Sequence, residues 1–353
     1  MSAEIHQLHP YGDMPADVYT VAEAYIDKVD TPNSEQENRQ LSVITHQELS
    51  CARRSFDVVT YTPSDGLRTC NDTDGDPVTY PELLMVHGVA SDARYFDPLF
   101  QKMNKLGIRC SAVTLPRHRD VVPDGDTLLD WQVQASIAAY DYIKSERPTT
   151  HIILGGHSRG AIVATKAKKQ IYDESGASSD EGLLLLAPAG LDTYNTKSIG
   201  RAALNLVPLA FNSLYHSDSK QLVGMYAVMI SQVVSANVSQ TVIEILQALK
   251  MNVADDISKE LAGISVFIPV AEQDEFIDHH KIVKVAELAP NSNISVATLS
   301  TNHLLGDRDR SKITSLSDPR GLPGQILGWM QSQTAGYRPL AVNASTYSTT
   351  RLG

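Results

Sequence analysis

Residues 154–161 read LGGHSRGA, and the run leading into them, His151-Ile152-Ile153-Leu154, is apolar after its first residue. A short apolar run before a glycine pair reads as a buried strand, here 151–155. The residues that follow carry helical periodicity and predict a helix over 158–172. Gly156-His157-Ser158-Arg159-Gly160 fits G-x-S-x-G, and its setting between strand and helix gives the short pattern its weight. The turn is sharp enough that side chains beside the serine would clash, so Gly156 and Gly160 flank Ser158. The helix behind it offers backbone N–H groups and the positive end of a dipole. Ser158 is therefore the candidate nucleophile.

Outward from this turn, strands alternate with helices, the pattern of a mostly parallel sheet. Strands are expected at 83–86, 108–115, 183–186, 264–270 and 294–299, and helices at 95–106, 127–146, 279–288 and 325–333. Leu183-Leu184-Leu185-Leu186 is the clearest of the strands, since a parallel strand covered on both faces is apolar throughout. Asp126 is the expected N-cap of the helix at 127–146. Two antiparallel strands, 41–49 and 55–61, precede the alternation. The polar stretch 64–81 between them and the first parallel strand reads as a solvated hairpin loop. Its NDTDGD run lacks the spacing and distant Glu of an EF-hand.

Two segments stand apart. Residues 1–37 form an acidic extension with one amphipathic helix over 18–29, a surface helix or an oligomer contact. Residues 190–262 show no strand and several helices, as expected of a helical cap between two core strands. The core is then 38–189 together with 263–333, and 334–353 is a Ser- and Thr-rich tail.

A serine hydroxyl needs a neighbouring base. The expected chain order is serine, acid, histidine, with the histidine beyond the last strand. His303, in STNHLLGD, holds that place, whereas His279 and His280 open a helix after Asp278. The acid should follow the strand at 264–270, where Glu272, Asp274, Glu275 and Asp278 lie. Asp274 leaves room for a tight turn and is preferred, with Asp192 after the leucine strand as the alternative. A second turn, Met85-Val86-His87-Gly88-Val89, ends a strand just before an aromatic helix start. Such a turn supplies an oxyanion donor, assigned to the Val89 N–H, with the Arg159 N–H as the other. His87, Gly88 and His157 are expected to line the substrate pocket.

The order HG, GHSRG, PVAEQD and TNH resembles the α/β-hydrolase superfamily, in its esterase, lipase and peroxidase-like branch with a helical cap. The resemblance covers roughly residues 40–333. It implies a doubly wound, mostly parallel sheet carrying a Ser158–His303–Asp274 triad. Two departures stand out: Ala161 where the family often has glycine, and LPRHRD at 115–120 where a G-x-G turn is common. The second reshapes the rim of the cleft. A serine nucleophile argues against the dehalogenase and epoxide hydrolase chemistries that use aspartate there. His157 in place of Asn argues against carbon–carbon bond hydrolysis. The implied activity is hydrolysis of a carboxylic ester or lactone. Thioester, amide or peptide hydrolysis, or a non-catalytic binding role, are the alternatives.

The cap shapes the expected substrate. Leu204, Val207, Leu209, Ala210 and Phe211 crowd one stretch, and Val223, Met225, Tyr226, Val228, Met229 and Ile230 another. Part of this must be the cap's own core. Met225 and Met229 are the candidates for an adaptable wall around an apolar acyl or alcohol group.

The formal net charge of −11 argues against a nucleic-acid partner, because phosphates attract Lys and Arg. No stretch of about 18 apolar residues predicts a membrane span. The first residues, MSAEIHQLHPYGDMPADVY, show neither a basic nor an apolar leader region, so a cytoplasmic location is expected. Three cysteines, Cys51, Cys70 and Cys110, lack metal spacing and read as free thiols. The sequons at Asn71, Asn237, Asn293 and Asn343 are then incidental. No metal or organic cofactor is implied.

Overall fold

The computed structural model describes residues 6–8, 42–51, 54–71, 77–89, 91–115, 127–175, 182–191, 251–254, 256–257, 261, 263–271, 274, 280, 282, 293–299 and 321–334. In chain order the strands are β1 (His6–Leu8), β2 (Ser42–Cys51), β3 (Arg54–Pro63), β4 (Thr69–Asn71), β5 (Pro77–Thr79), β6 (Glu82–Val86), β7 (Cys110–Thr114), β8 (Ile152–His157), β9 (Leu183–Leu186), β10 (Ser265–Ala271) and β11 (Asn293–Leu299). The helices are α1 (Asp97–Lys105), α2 (Leu128–Glu146), α3 (Arg159–Ser175) and α4 (Leu322–Thr334), with a 3₁₀ turn at Ala93–Phe96 ahead of α1.

Nine strands form one sheet in the order β1-β11-β10-β9-β8-β6-β7-β3-β2. From β1 to β7 all neighbours are parallel, while β3 runs antiparallel to both β7 and β2. β8 sits at the centre, with β6 on one side and β9 on the other. The chain doubles back here, winding from β8 outward in one direction after filling the other. Carboxyl ends of strands at such a reversal frame a crevice.

Both faces of the sheet are covered, which is why β6, β8 and β9 are buried at every position and largely apolar. One core joins alternate residues of the sheet, such as Leu84, Leu154 and Leu185, to Val133, Ile137 and Ile143 of α2 and Ile162 and Val163 of α3. The other joins Leu83, Met85 and Leu184 to Phe96, Leu99 and Phe100 and to Leu327 and Trp329 of α4. At the amino end of the sheet, buried Glu82 receives two hydrogen bonds from Arg147, at 3.1 Å each, and one from Ser111 at 2.6 Å. That ion pair staples the end away from Ser158.

Several boundaries differ from the sequence reading. The helix expected at 95–106 is preceded by the 3₁₀ turn, because Asp92 caps that turn by accepting from the Arg94 N–H, and Pro98 opens α1. The cap of α2 is Thr127 rather than Asp126. Thr127 accepts from the Asp130 N–H, and the Asp130 carboxylate accepts from the Thr127 N–H, a reciprocal pair. The hairpin loop expected at 64–81 does carry a small hairpin, β4–β5. Cys51 and Cys110 are free thiols, and burial pushes the Cys110 thiol well up. No described helix is long and apolar enough to cross a membrane.

The two ends of segment 190–262 meet. The Val253 N–H donates to the Gly190 carbonyl at 2.7 Å, and Val253, Ile257 and Leu261 are buried against the α3 side of the core. Residues 192–250 and the expected helix at 18–29 lie outside the described residues.

Candidate active site

β8 carries the chain to the carboxyl edge of the sheet, where Ser158 makes the turn and Arg159 opens α3. Ser158 has φ +53°, in the left-handed region that a serine enters only when its surroundings hold it there. Three hydrogen bonds do so. The Ser158 N–H donates to the Leu186 carbonyl at 3.0 Å, and the Ser158 carbonyl accepts from the N–H groups of Ala161 at 3.0 Å and Ala189 at 3.1 Å. The end of β9 thus braces the turn. Ala187 has φ +41° and donates to the Pro269 carbonyl at 3.1 Å, tying the brace to β10.

The glycines of the motif have a steric cause. A methyl group on Gly160 would run into the carbonyls of Val86 and His87, and one on Gly156 into the backbone of Gly160. A methyl on Gly88 would stand 3.3 Å from both the Ser158 Cβ and the His157 Nδ1. Glycine lets the turn after β6 lie this close to the serine without displacing its neighbours. His157 and Arg159 are buried while Ser158 between them is partly exposed, so of the three the serine is open to the crevice.

The two histidines beside the serine are committed to interior hydrogen bonds. His87 Nε2 accepts from the Leu115 N–H at 2.9 Å, which makes Nδ1 the protonated nitrogen, and Nδ1 donates to the Gly88 carbonyl at 2.8 Å. The peptide linking Gly88 to Val89 is trans, so its N–H points opposite to its bonded carbonyl, away from the His87 ring. The His157 ring stacks on Tyr95 with centroids 4.5 Å apart and pairs through Nε2 with the Tyr95 hydroxyl at 3.1 Å. The Arg159 guanidinium donates to the Gln132 side chain on α2. Arg159 is the first residue of α3, so its N–H lies at the start of that helix.

Asp92 stands at the outer end of the β6 turn. Burial pushes its carboxyl up, but hydrogen bonds and charge from Arg94 outweigh this and hold it below the usual carboxylate range. The shortest of those bonds is 2.7 Å, from Arg94 Nη2.

Asp274 lies just past β10, its N–H turning back to the Ala271 carbonyl at 3.3 Å, and is half-buried. Because β8 and β10 run parallel, Ser158 and Asp274 share the carboxyl edge of the sheet. β11 ends at Leu299 on the same edge. His303, Asp192, His279, Met225 and Met229 lie outside the described residues, while His280 is exposed. Gly88 lies beside Ser158 and His157, and the His87 ring is hydrogen-bonded to the Gly88 carbonyl. The sequence reading did not find the Ala187–Ala189 brace, Tyr95 as the partner of His157, or Gln132 as the partner of Arg159.

The chain belongs to the α/β hydrolase family: the model of that family matches residues 83–274, more than half of the sequence. The doubly wound sheet is that of this fold, and the protein is a hydrolase of this class. No curated protein matches the sequence at a significant level. Among solved structures, a membrane phospholipase A is similar at a TM-score of 0.55 and 12% identity, covering 90% of this chain and 94% of that one. Carboxyl esterase 2 from the mycorrhizal fungus Tuber melanosporum is similar at 0.52 and 12%, covering 89% and 98%. The thioesterase domain from the curacin biosynthetic pathway is similar at 0.51 and 12%, covering 81% and 99%. At this identity the likeness is one of fold.

Proposed function

We propose that the protein is a serine hydrolase that cleaves a carboxylic ester or lactone through Ser158, His303 and Asp274. The observation that carries this reading is the strained Ser158 turn at the carboxyl end of β8, with the bare Gly88 backbone packed against it. A serine held at positive φ between a central strand and a helix start costs about 1–3 kcal/mol of strain. A purely structural turn would relieve that strain with glycine.

In the proposed reaction His303 takes the Ser158 proton as the hydroxyl attacks the carbonyl carbon. Asp274 holds the imidazole tautomer and stabilises its cation. The N–H groups of Val89 and Arg159 bind the oxyanion, and His303 returns its proton to the leaving alcohol. Water activated by His303 then releases the acid from the acyl-serine. The Ser158 N–H, occupied by the Leu186 carbonyl, is not among the oxyanion donors. His87 and His157 serve as supports of the site, holding the β6 turn and the elbow.

Fluorophosphonate labelling of the wild type and of Ser158→Ala tests the nucleophile, and a panel of p-nitrophenyl esters, lactones, thioesters and aminoacyl amides tests the substrate class. Labelling should vanish in the variant, and esters or lactones should be turned over fastest. Loss of the nucleophile should lower kcat by about a thousandfold or more. Retention of more than about a tenth of wild-type kcat would overturn the assignment. Faster turnover of thioesters or amides would move the substrate to another acyl class without disturbing the nucleophile.

A further inference from the structure

β2 closes one side of the nine-stranded sheet, and its inner edge pairs with β3 along the whole of Ser42–Cys51. Six consecutive residues, Val43 to Glu48, are exposed, Val43 and Ile44 by 53% and 45%. A long edge strand is normally blunted by Lys, Pro, a bulge or an early end. SVITHQELSC has no Lys, Pro or Gly, and it pairs without a bulge.

The backbone direction follows from β3. The Tyr61 carbonyl accepts from Asn104 Nδ2 at 3.2 Å, and the same Nδ2 donates to the Ile108 carbonyl just before β7, so Tyr61 bonds toward β7. Alternation along β3 then turns Thr62, Thr60 and Val58 toward β2, where they oppose Val43, Thr45 and Gln47. Pro63, which has no N–H to give, opposes Ser42 and fits the same alternation. The N–H and C=O groups of Ile44, His46, Glu48 and Ser50 therefore point outward. Gln47 Nε2 donates to the Glu48 carbonyl at 2.9 Å, consistent with that carbonyl facing outward.

We infer that β2 pairs antiparallel with β2 of a second copy of this chain, about a two-fold axis at Gln47, joining the two sheets into one. Outward residues pair only with outward residues, which restricts the register. An axis at His46 would set two imidazoles together and Ile44 against a carboxylate. An axis at Glu48 would set two carboxylates together. The axis at Gln47 places His46 opposite Glu48 of the second copy, twice over by symmetry, and Ile44 opposite Ser50. An imidazole N–H can donate to a facing carboxylate, whereas like charges directly opposite are unfavourable. The surface is thus self-complementary, as a two-fold interface requires.

Sedimentation equilibrium of the full chain up to about 100 μM, where interfaces of modest area associate, tests the pairing. The wild type should dimerise. Glu48→Lys should weaken the dimer about tenfold, because both His–Glu pairs become unfavourable. Combining it with His46→Glu should restore the affinity. Ile44→Pro removes an outward N–H, keeps the β3 ladder, and should leave a folded monomer by circular dichroism. A wild type that stays monomeric overturns the inference. So does a dimer indifferent to Glu48→Lys and Ile44→Pro, or a charge swap that fails to rescue.

Discussion

His87 is held by Leu115: the Leu115 N–H donates to His87 Nε2 at 2.9 Å and so fixes Nδ1 as the donor to the Gly88 carbonyl. The residue after β7 thereby sets the plane of the peptide that carries the proposed Val89 oxyanion donor. Removing one oxyanion donor costs about a hundredfold to a thousandfold in kcat, and loosening one should cost less. His87→Ala is expected to lower kcat about tenfold with KM little changed, as for an interaction made in the transition state. Steady-state kinetics on the best ester of the panel measure this. A kcat within about twofold of wild type would show that the ring does not orient the donor.

Asp92 gives a prediction with a defined pH dependence. Its side chain caps the 3₁₀ turn and pairs with Arg94, whose own side chain is 62% exposed, so the cap should outweigh the screened ion pair. Asp92→Ala should cost about 1–2 kcal/mol near neutral pH, the range for a lost cap. The folded-state carboxyl is held below its usual value, so its contribution is present above the unfolded value of about 3.9 and fades as pH falls through the folded one. Urea unfolding of both proteins from neutral pH downward should show the gap narrowing below about pH 4. A gap that stays constant would assign the loss to packing rather than to the charged form of Asp92.

The elements read most accurately from sequence are those whose signal is local. Leu183–Leu186 declares itself as an uninterrupted apolar run, and its bounds are those expected. Gly156 is legible because its steric exclusion acts against Gly160, four residues on, whereas Gly160 is excluded by Val86 and His87 and is read only through the motif. The small elements were harder. β1, three residues long, is too short to show a period, and Asp92 and Thr127 each compete with polar neighbours for the cap. The supports of the site were not legible. His87 meets Leu115, His157 meets Tyr95, and Arg159 meets Gln132 at separations of 28, 62 and 27 residues, and nothing in the local pattern of either partner announces the other.

The segment 190–262 is proposed to form a cap that favours an apolar acyl or alcohol group. Gly190 at its start and Val253 near its end are joined by a hydrogen bond. Each methylene of substrate buried there should add roughly 0.8 kcal/mol, less what imperfect fit removes. kcat/KM should therefore rise from acetyl to medium-chain esters, and Met225→Ala or Met229→Ala should flatten the rise. A flat or falling profile in the wild type would favour a small or polar substrate instead.

The acid of the proposed triad can be assigned by a pair of substitutions. Asp274 turns back onto the end of β10 through the Ala271 carbonyl, which places it on the edge that carries Ser158. Asp192 follows Leu191, directly after the segment whose Leu186 carbonyl and Ala189 N–H brace the Ser158 turn. Asp274→Asn keeps shape and hydrogen-bonding capacity but favours the imidazole tautomer that cannot accept the serine proton, a change worth about ten-thousandfold in the serine proteases. Here kcat should fall by about a thousandfold or more, with fluorophosphonate labelling slowed in parallel. Asp192→Asn should leave kcat within about twofold, since no role in the reaction is assigned to it. Thermal unfolding of both variants separates loss of chemistry from loss of fold. If Asp192→Asn proves the crippled enzyme and Asp274→Asn the active one, the acid follows β9 and the order of the triad along the sheet must be redrawn.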